Sequence, residues 1–304
     1  MRMLTSTTLL VHTADNQVFF IYSQSSMPSA LREAGGFSGT VTKVHSRDGM
    51  YYVETTEGVF YAGAGFGGST VERMRKLPGS EGATSLTVWG ENHSGRRTGG
   101  AFVNSAGEIV WFGAVDATST YLNIGSVPNG VRSMVAGNDS LIALDKLGNL
   151  MVRGNAWRGV GAQSAFKTVK QDVADLSGWT RYLNGTINGY AVLGTDGSVW
   201  EGFGSNALYF APEKIQGLDS VVITRVFAND GTYQALASDG SIWSWTGNND
   251  WVQTGYGRIS AAAKSSLPDG FMVSDFLSRG YHVWSNNTYW GWGLAFGQTT
   301  CALA

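Results

Sequence analysis

The sequence predicts an all-β fold: one seven-bladed β-propeller of four-stranded antiparallel blades, filling residues 1–304 as a single domain. Three observations carry this reading. A strand–turn–strand pattern recurs seven times, its turns 41 to 49 residues apart, which is the period of propeller blades. Glycine is abundant at 42 residues while charged residues are only 14%, against ~25% in typical domains, and this mixture favours short strands and tight turns over charged amphipathic helices. Cys301 is the only cysteine, so no intrachain disulfide is available and stability must come from a packed core.

The pattern is clearest in the fifth and sixth copies. Tyr190 to Thr195 is followed by Asp196-Gly197 and then Ser198-Val199-Trp200; Tyr233 to Ser238 is followed by Asp239-Gly240 and then Ser241-Ile242-Trp243-Ser244-Trp245. Asp-Gly between apolar runs predicts a hairpin closed by a two-residue turn with positive φ at both central positions. The third copy turns at Ala106-Gly107 before Ile109-Val110-Trp111, and the fourth at Leu147-Gly148 before Leu150-Met151-Val152. The second turns at Glu57-Gly58, the first at Asp15-Asn16 and the seventh at Asn286-Asn287. Asparagine tolerates positive φ best after glycine. Gly58, Gly107, Gly148, Gly197 and Gly240 are therefore structural turn residues.

Each blade needs two more strands than the hairpin supplies. Segments 39–44, 85–89, 131–135, 221–226 and 271–276 precede hairpins and are suited to be partner strands. Closure of the repeats into a ring removes exposed sheet edges. Residues 1–8 and 298–304 are expected to complete one blade together.

The repeats resemble those of the regulator of chromosome condensation family, in which a small-apolar strand precedes a D-G-x-V-x-x-W-G hairpin and an N-x-x-G-Q loop. Asp239-Gly240-Ser241-Ile242-Trp243-Ser244-Trp245 follows this pattern, and Asn286 to Gly293 keeps its spacing, with Phe296-Gly297-Gln298 echoing the loop. Phe203-Gly204-Ser205-Asn206 and Arg153-Gly154 match in part, while the loop glutamine is missing from most copies. The resemblance implies a seven-bladed propeller that works by protein–protein contact through loops on one face. Its known roles include nucleotide exchange on a small GTPase and inhibition of an enzyme by plugging its active site. Tectonin-type lectins share a G-S-V-W hairpin and stay open as a second resemblance. Gly35-Gly36, Gly67-Gly68 and Gly99-Gly100 look like a kelch signal confined to the first half.

The residues argue against catalysis. His12, His45, His93 and His282 show no metal-ligand spacing, and His12 and His282 fall in equivalent first strands of hairpins. Gly63 to Gly68 is glycine-rich but no Gly-Lys-Ser/Thr follows. Asp172, Asp175, Glu213 and Asp219 show no pairing along the chain, although convergence in a central channel stays open. No metal or cofactor is expected. The net charge of −2 and the short basic stretches Arg73, Arg75, Lys76 and Arg96-Arg97 argue against nucleic acid. No apolar run approaches the roughly 18 residues of a membrane span, and the N-terminus makes a poor secretory signal. The expectation is a soluble chain, virion-associated or otherwise cytoplasmic.

Aromatic residues are the informative set. Trp200, Trp243, Trp290 and Phe19 occupy equivalent hairpin positions and are expected to pack between blades. Trp157, Trp179 and Trp251 fall in expected loops, and Arg158 adjoins the first. Exposed Trp and Arg are frequent interface anchors, which makes Trp157, Arg158, Trp179 and Trp251 the candidate binding residues. The expected function is a non-catalytic macromolecule-binding propeller whose partner is another protein or a host-surface glycan. Low charge with abundant Gly, Ser, Thr and Asn resembles bacteriophage virion, tail and host-attachment proteins. The alternatives are a carbohydrate-binding propeller lectin and a nucleotide-exchange-type or inhibitor-type protein-binding propeller.

Overall fold

The computed structural model describes residues 8–22, 31–47, 50–63, 73–91, 97–115, 118–137, 140–154, 163–180, 187–203, 212–229, 232–246, 261–265, 275–277, 282–285, 288–291 and 301–303. All regular structure among them is β, so no helix there is long and apolar enough to cross a membrane. The chain forms two compact units. One holds Met1–Val131 with Ala136–Asn138 and Tyr182–Gly185; the other holds Arg132–Val135, Asp139–Arg181 and Thr186–Ala304.

The first unit contains three antiparallel meanders. The first sheet is three-stranded: β1 (Thr8–His12), β2 (Val18–Tyr22) and β3 (Leu31–Glu33). The second is four-stranded: β4 (Val41–Arg47), β5 (Met50–Thr55), β6 (Gly58–Gly63) and β7 (Arg75–Lys76). The third adds β8 (Thr84–Glu91), β9 (Arg97–Val103), β10 (Glu108–Val115) and β11 (Thr118–Ser126). A fourth sheet follows: β12 (Val131–Ala136), β13 (Ser140–Asp145), β14 (Leu150–Gly154) and β15 (Gln163–Lys170). In the second unit the fifth is β16 (Val173–Thr180), β17 (Ile187–Gly194), β18 (Val199–Phe203) and β19 (Glu213–Lys214). The sixth is β20 (Ile223–Asn229), β21 (Thr232–Ala237), β22 (Ile242–Thr246) and β23 (Ala263–Lys264). Last come β24 (Asp275–Leu277), β25 (His282–Ser285), β26 (Thr288–Gly291) and β27 (Cys301–Leu303), with β25 paired to β26 and β24 to β27.

All seven expected hairpins form, and in the five four-stranded sheets the hairpin is the middle pair. The aromatic positions share one register: Val11 faces Phe19, Val192 faces Trp200, Ala235 faces Trp243 and Val283 faces Trp290. The predicted partner strands become β4, β8, β12, β20 and β24. Cys301–Leu303 pairs with Asp275–Leu277 inside the last repeat, and residues 1–7, the other half of the expected shared blade, lie outside the described residues.

The turns differ from expectation. The two-residue turn with two positive φ values is replaced by a three-residue loop. In the fifth hairpin Gly197 N–H donates to the Gly194 carbonyl at 3.0 Å and Gly194 N–H to the Ser198 carbonyl at 2.7 Å. Only Gly197 has positive φ, at 82°. This is a type I turn followed by one left-handed residue. The same two-bond signature recurs at Thr13–Gln17, Asn104–Glu108, Asp145–Asn149 and Ala237–Ser241. Aspartate before the glycine does not adopt positive φ; its carboxylate instead accepts the amide two residues on, Ser198 at 3.0 Å from Asp196 and Ser241 at 2.9 Å from Asp239. The second and seventh hairpins keep a two-residue connection, pairing Thr55 with Gly58 and Ser285 with Thr288.

The sheets stack so that both faces of a middle strand are covered. On β5, Met50 and Tyr52 pack with Phe102 and Phe112 of the third sheet. Tyr51 and Val53 pack with Val18 and Ala34 of the first. On β17, Tyr190 and Val192 join Ile142, Leu144 and Val152 of the fourth sheet, while Ala191 and Leu193 join Val226, Tyr233 and Trp245 of the sixth. Period-two alternation thus sorts side chains between two cores rather than between core and water.

Glycines allow the closest contacts. Gly99 lies across from Gly113. A Cβ on Gly99 would come within 2.5 Å of the Trp89 ring. Trp89 itself stacks on Trp111 with ring centres 6.0 Å apart. The Gly99-Gly100 pair therefore serves aromatic packing rather than a kelch repeat. Trp179 corrects a second expectation. It lies in strand β16 opposite Gly189, the register position that Trp89 holds opposite Gly99 in β8. Its segment, V-A-D-L-S-G-W-T, lacks clean alternation because its polar residues bond to the neighbouring sheet, as described next.

Candidate interaction surface

With both faces of the middle strands β5 and β17 buried, the strand ends are left for recognition. The two ends differ. At one end lie the hairpin turns and the entry of each first strand. In the second unit these knit together: Val173 N–H donates to the Gly148 carbonyl at 3.0 Å, Thr195 N–H to Asp172 at 2.7 Å and Ser238 N–H to Val222 at 2.8 Å. Lys214 bonds Asp219 at 2.7 Å. Trp200 and Trp243 donate their indole N–H to Ser198 and Ser241 at 2.7 and 3.2 Å. Both rings pack against core clusters, Trp200 beside the fourth–fifth sheet core and Trp243 beside the fifth–sixth core. Lys170 sits 4.0 Å from the Trp200 ring centre, a cation–π contact. These hairpin aromatics are scaffold. Gly58, Gly107, Gly148, Gly197 and Gly240 all carry positive φ.

The opposite end carries the connections from the third to the fourth strand of each sheet. Trp157 and Arg158 fall between β14 and β15, and Trp251 between β22 and β23, outside the described residues. Trp290 lies on β26, paired with Val283. Of the four candidate binding residues the structure describes Trp179 alone, and places it on strand β16.

First strands are sheet edges, and side chains of one cap the next. Val226 N–H donates to Asp175 at 3.2 Å and Ala228 N–H to Ser177 at 3.0 Å. In the first unit Ala136 N–H donates to Thr87 at 3.4 Å, from the register position equivalent to Ser177. Satisfying an edge in this way blunts its tendency to pair with other chains. Sequence reading missed these groups because a lone Asp or Ser within a strand has no signature of its own.

Burial pushes the Asp175 carboxyl above the ordinary carboxylate range, against the pull of the Val226 and Leu176 amides and of Arg225 and Arg132. The folded carboxyl thus holds its proton to higher pH than the unfolded one. Between those two values the native state binds more protons, so this group's contribution to stability falls as pH rises through that window. Asp175→Asn keeps an acceptor for the Val226 amide without the buried charge. The variant is expected to melt higher than the parent at neutral pH, with the gap closing on acidification toward the ordinary carboxylate range. Melting curves across pH check this; a gap that widens in acid contradicts it.

The remaining titratable groups are held separately. Asp219 pairs with Lys214 and Asp239 lies 3.9 Å from Lys264. His45 bonds Glu54 at 2.5 Å, and Glu201 accepts the Trp245 indole N–H at 3.0 Å. Among the described residues no group of three or more His, Cys, Asp or Glu could hold a metal ion.

No known family profile matches the sequence, and no curated protein matches it. Solved structures do match. Human WBSCR16 is 16% identical with TM-score 0.58, covering 88% of this chain and 81% of its own. Prp20p from Saccharomyces cerevisiae, described with its binding to Gsp1p and histones, is 11% identical with TM-score 0.56 over 86% of this chain and 75% of its own. The yeast RCC1 (Prp20) structure with Kap60 gives 14% identity and TM-score 0.54 over 84% of this chain and 71% of its own. These neighbours are propellers of the regulator of chromosome condensation type, and their likeness extends to the fold of this chain.

Proposed function

We propose that this chain, which shares the fold of the regulator of chromosome condensation propellers, is a non-catalytic protein-binding propeller. Its seven hairpins close into one seven-bladed domain over residues 1–304, and it binds through the third-to-fourth-strand connections. The observation that carries the reading is the burial of both faces of the middle strands, with the hairpin turns committed to scaffold hydrogen bonds. Loops held by a rigid scaffold are where binding residues concentrate. The connections between β14 and β15 and between β22 and β23 supply Trp157, Arg158 and Trp251. Trp179 belongs to strand β16, opposite Gly189, rather than to a connection. The solved neighbours support a protein partner: one is described with Gsp1p and histones, another bound to Kap60. That favours the exchange-factor or inhibitor type of role over the virion or glycan roles suggested by composition.

The test is affinity capture with purified chain from its own source cells, alongside a glycan array. Trp157→Ala and Trp251→Ala are each expected to weaken retention of the captured protein by about tenfold, as anchor residues do, with unchanged melting curves. Equal retention by both variants, or a glycan signal without a protein partner, overturns the reading.

A further inference from the structure

We propose that the outer edge of β11, in the third sheet, pairs antiparallel with β11 of a second copy of this chain. The strand order is β11-β10-β9-β8, and among the described residues no strand lies beyond β11. An outer strand presents one row of backbone amides and carbonyls to its surroundings, a template for another chain. The other fourth strands are blunted. β7, β19 and β23 are two residues long and each carries a lysine. β15 carries Lys167 and Lys170 and is broken by two register shifts. Short length, lysine and irregularity each discourage edge pairing.

β11 has none of these devices over its first six residues. It is nine residues long, the longest strand among the described residues, and contains no charged residue and no proline. Thr118 to Asn123 pair with Val115 to Val110 without a break. The one shift falls beyond them, where Gly125 takes a φ of +83°. The cause is the preceding connection. Only residues 116–117 separate β10 from β11, against 64–74, 155–162, 204–212 and 247–262 before the other fourth strands. A short connection returns the chain directly to the sheet, so pairing starts at once and runs on.

The occupant follows from charge and symmetry. In its own antiparallel copy, a charged edge sets like charges near each other, which opposes self-pairing. β11 brings none. Its Thr, Tyr, Leu and Ile suit a strand. Leu122, opposite Trp111 on β10, is 53% exposed. A two-fold axis through Thr118–Asn123 puts Leu122 of both copies on one face of the joined sheet, close to the axis. Glu108, opposite Ser126, is engaged by the Asn104 and Asn123 side-chain amides at 3.2 and 2.8 Å. Asn123 also accepts the Gly125 amide at 2.8 Å. These bonds hold the end of the strand in place before a partner arrives, so little freedom is lost on pairing. A single strand pair falls short of the ~1,200 Å² of a standard interface, so the dimer is a transient one.

Sedimentation velocity tests this, with the chain at about 1 to 500 µM, the range for a transient complex. A thiol reductant excludes a disulfide between copies through Cys301. The parent is expected to show a concentration-dependent monomer–dimer equilibrium. Leu122→Lys sets like charges beside the axis and should raise the dissociation constant about tenfold or more. Leu122→Glu should do the same. An equimolar mixture of the two variants should restore dimers, because opposite charges then meet. Melting curves confirm that both variants fold. Trp251→Ala should leave self-association unchanged, which separates this edge from the connections above. A parent that stays monomeric over the whole range, a dimer untouched by Leu122→Lys, or a mixture that stays monomeric overturns the proposal.

Discussion

Gly100→Ala is expected to destabilise the chain by about 3 kcal/mol or more, the upper range for forcing a group into a packed core. A Cβ at this position would sit 2.2 Å from the Thr87 carbonyl oxygen and 2.8 Å from the Phe112 ring. The Thr87 oxygen belongs to the neighbouring strand of the same sheet and cannot swing aside as a side-chain tip can. Phe112 is fully buried among Tyr52, Phe102 and Tyr121. Gly107→Ala is the matched control. Its φ is +79°, but nothing lies within 4 Å of the added carbon. It should cost only the left-handed conformation, about 1 kcal/mol. Chemical denaturation of the two variants checks both the size and the order. Equal losses would mean that the third sheet is not packed through its glycines.

Trp245→Phe should cost about 3 kcal/mol. The indole N–H is the hydrogen-bond donor to Glu201, a residue only 3% exposed. Removing it takes a donor from a buried carboxylate, and hydrogen bonds to charged groups are worth about 1.5–3 kcal/mol with a larger penalty when the charge stays buried. The ring also stacks on Tyr233 with centres 5.8 Å apart and planes 12° apart, contact that Phe keeps in part. Glu201→Gln in the Trp245→Phe background should recover part of the loss, because a neutral amide is cheaper to bury than a carboxylate. A double-mutant cycle that shows no coupling between residues 201 and 245 would contradict this account.

Much of the scaffold was legible because hairpins announce themselves locally. A glycine or asparagine between two apolar runs is needed wherever the chain turns with positive φ, and it marked all seven hairpins. The turn type was misread for a physical reason. Aspartate contributes its carboxylate to the next amides rather than its own backbone to the left-handed region. The fourth strands Arg75–Lys76, Glu213–Lys214 and Ala263–Lys264 are two residues long, too short to show any period. Strand β16 was missed because Asp175 and Ser177 are polar groups spent on the amides of β20. A polar residue facing a neighbouring edge reads in sequence like a residue facing water.

The binding role of the third-to-fourth-strand connections is tested most directly by hydrogen exchange of the chain, free and with its captured protein partner. The account predicts partner-dependent slowing in residues 155–162 and 247–260, with the buried strands β13, β17 and β21 unchanged. Slowing absent from both segments would contradict it.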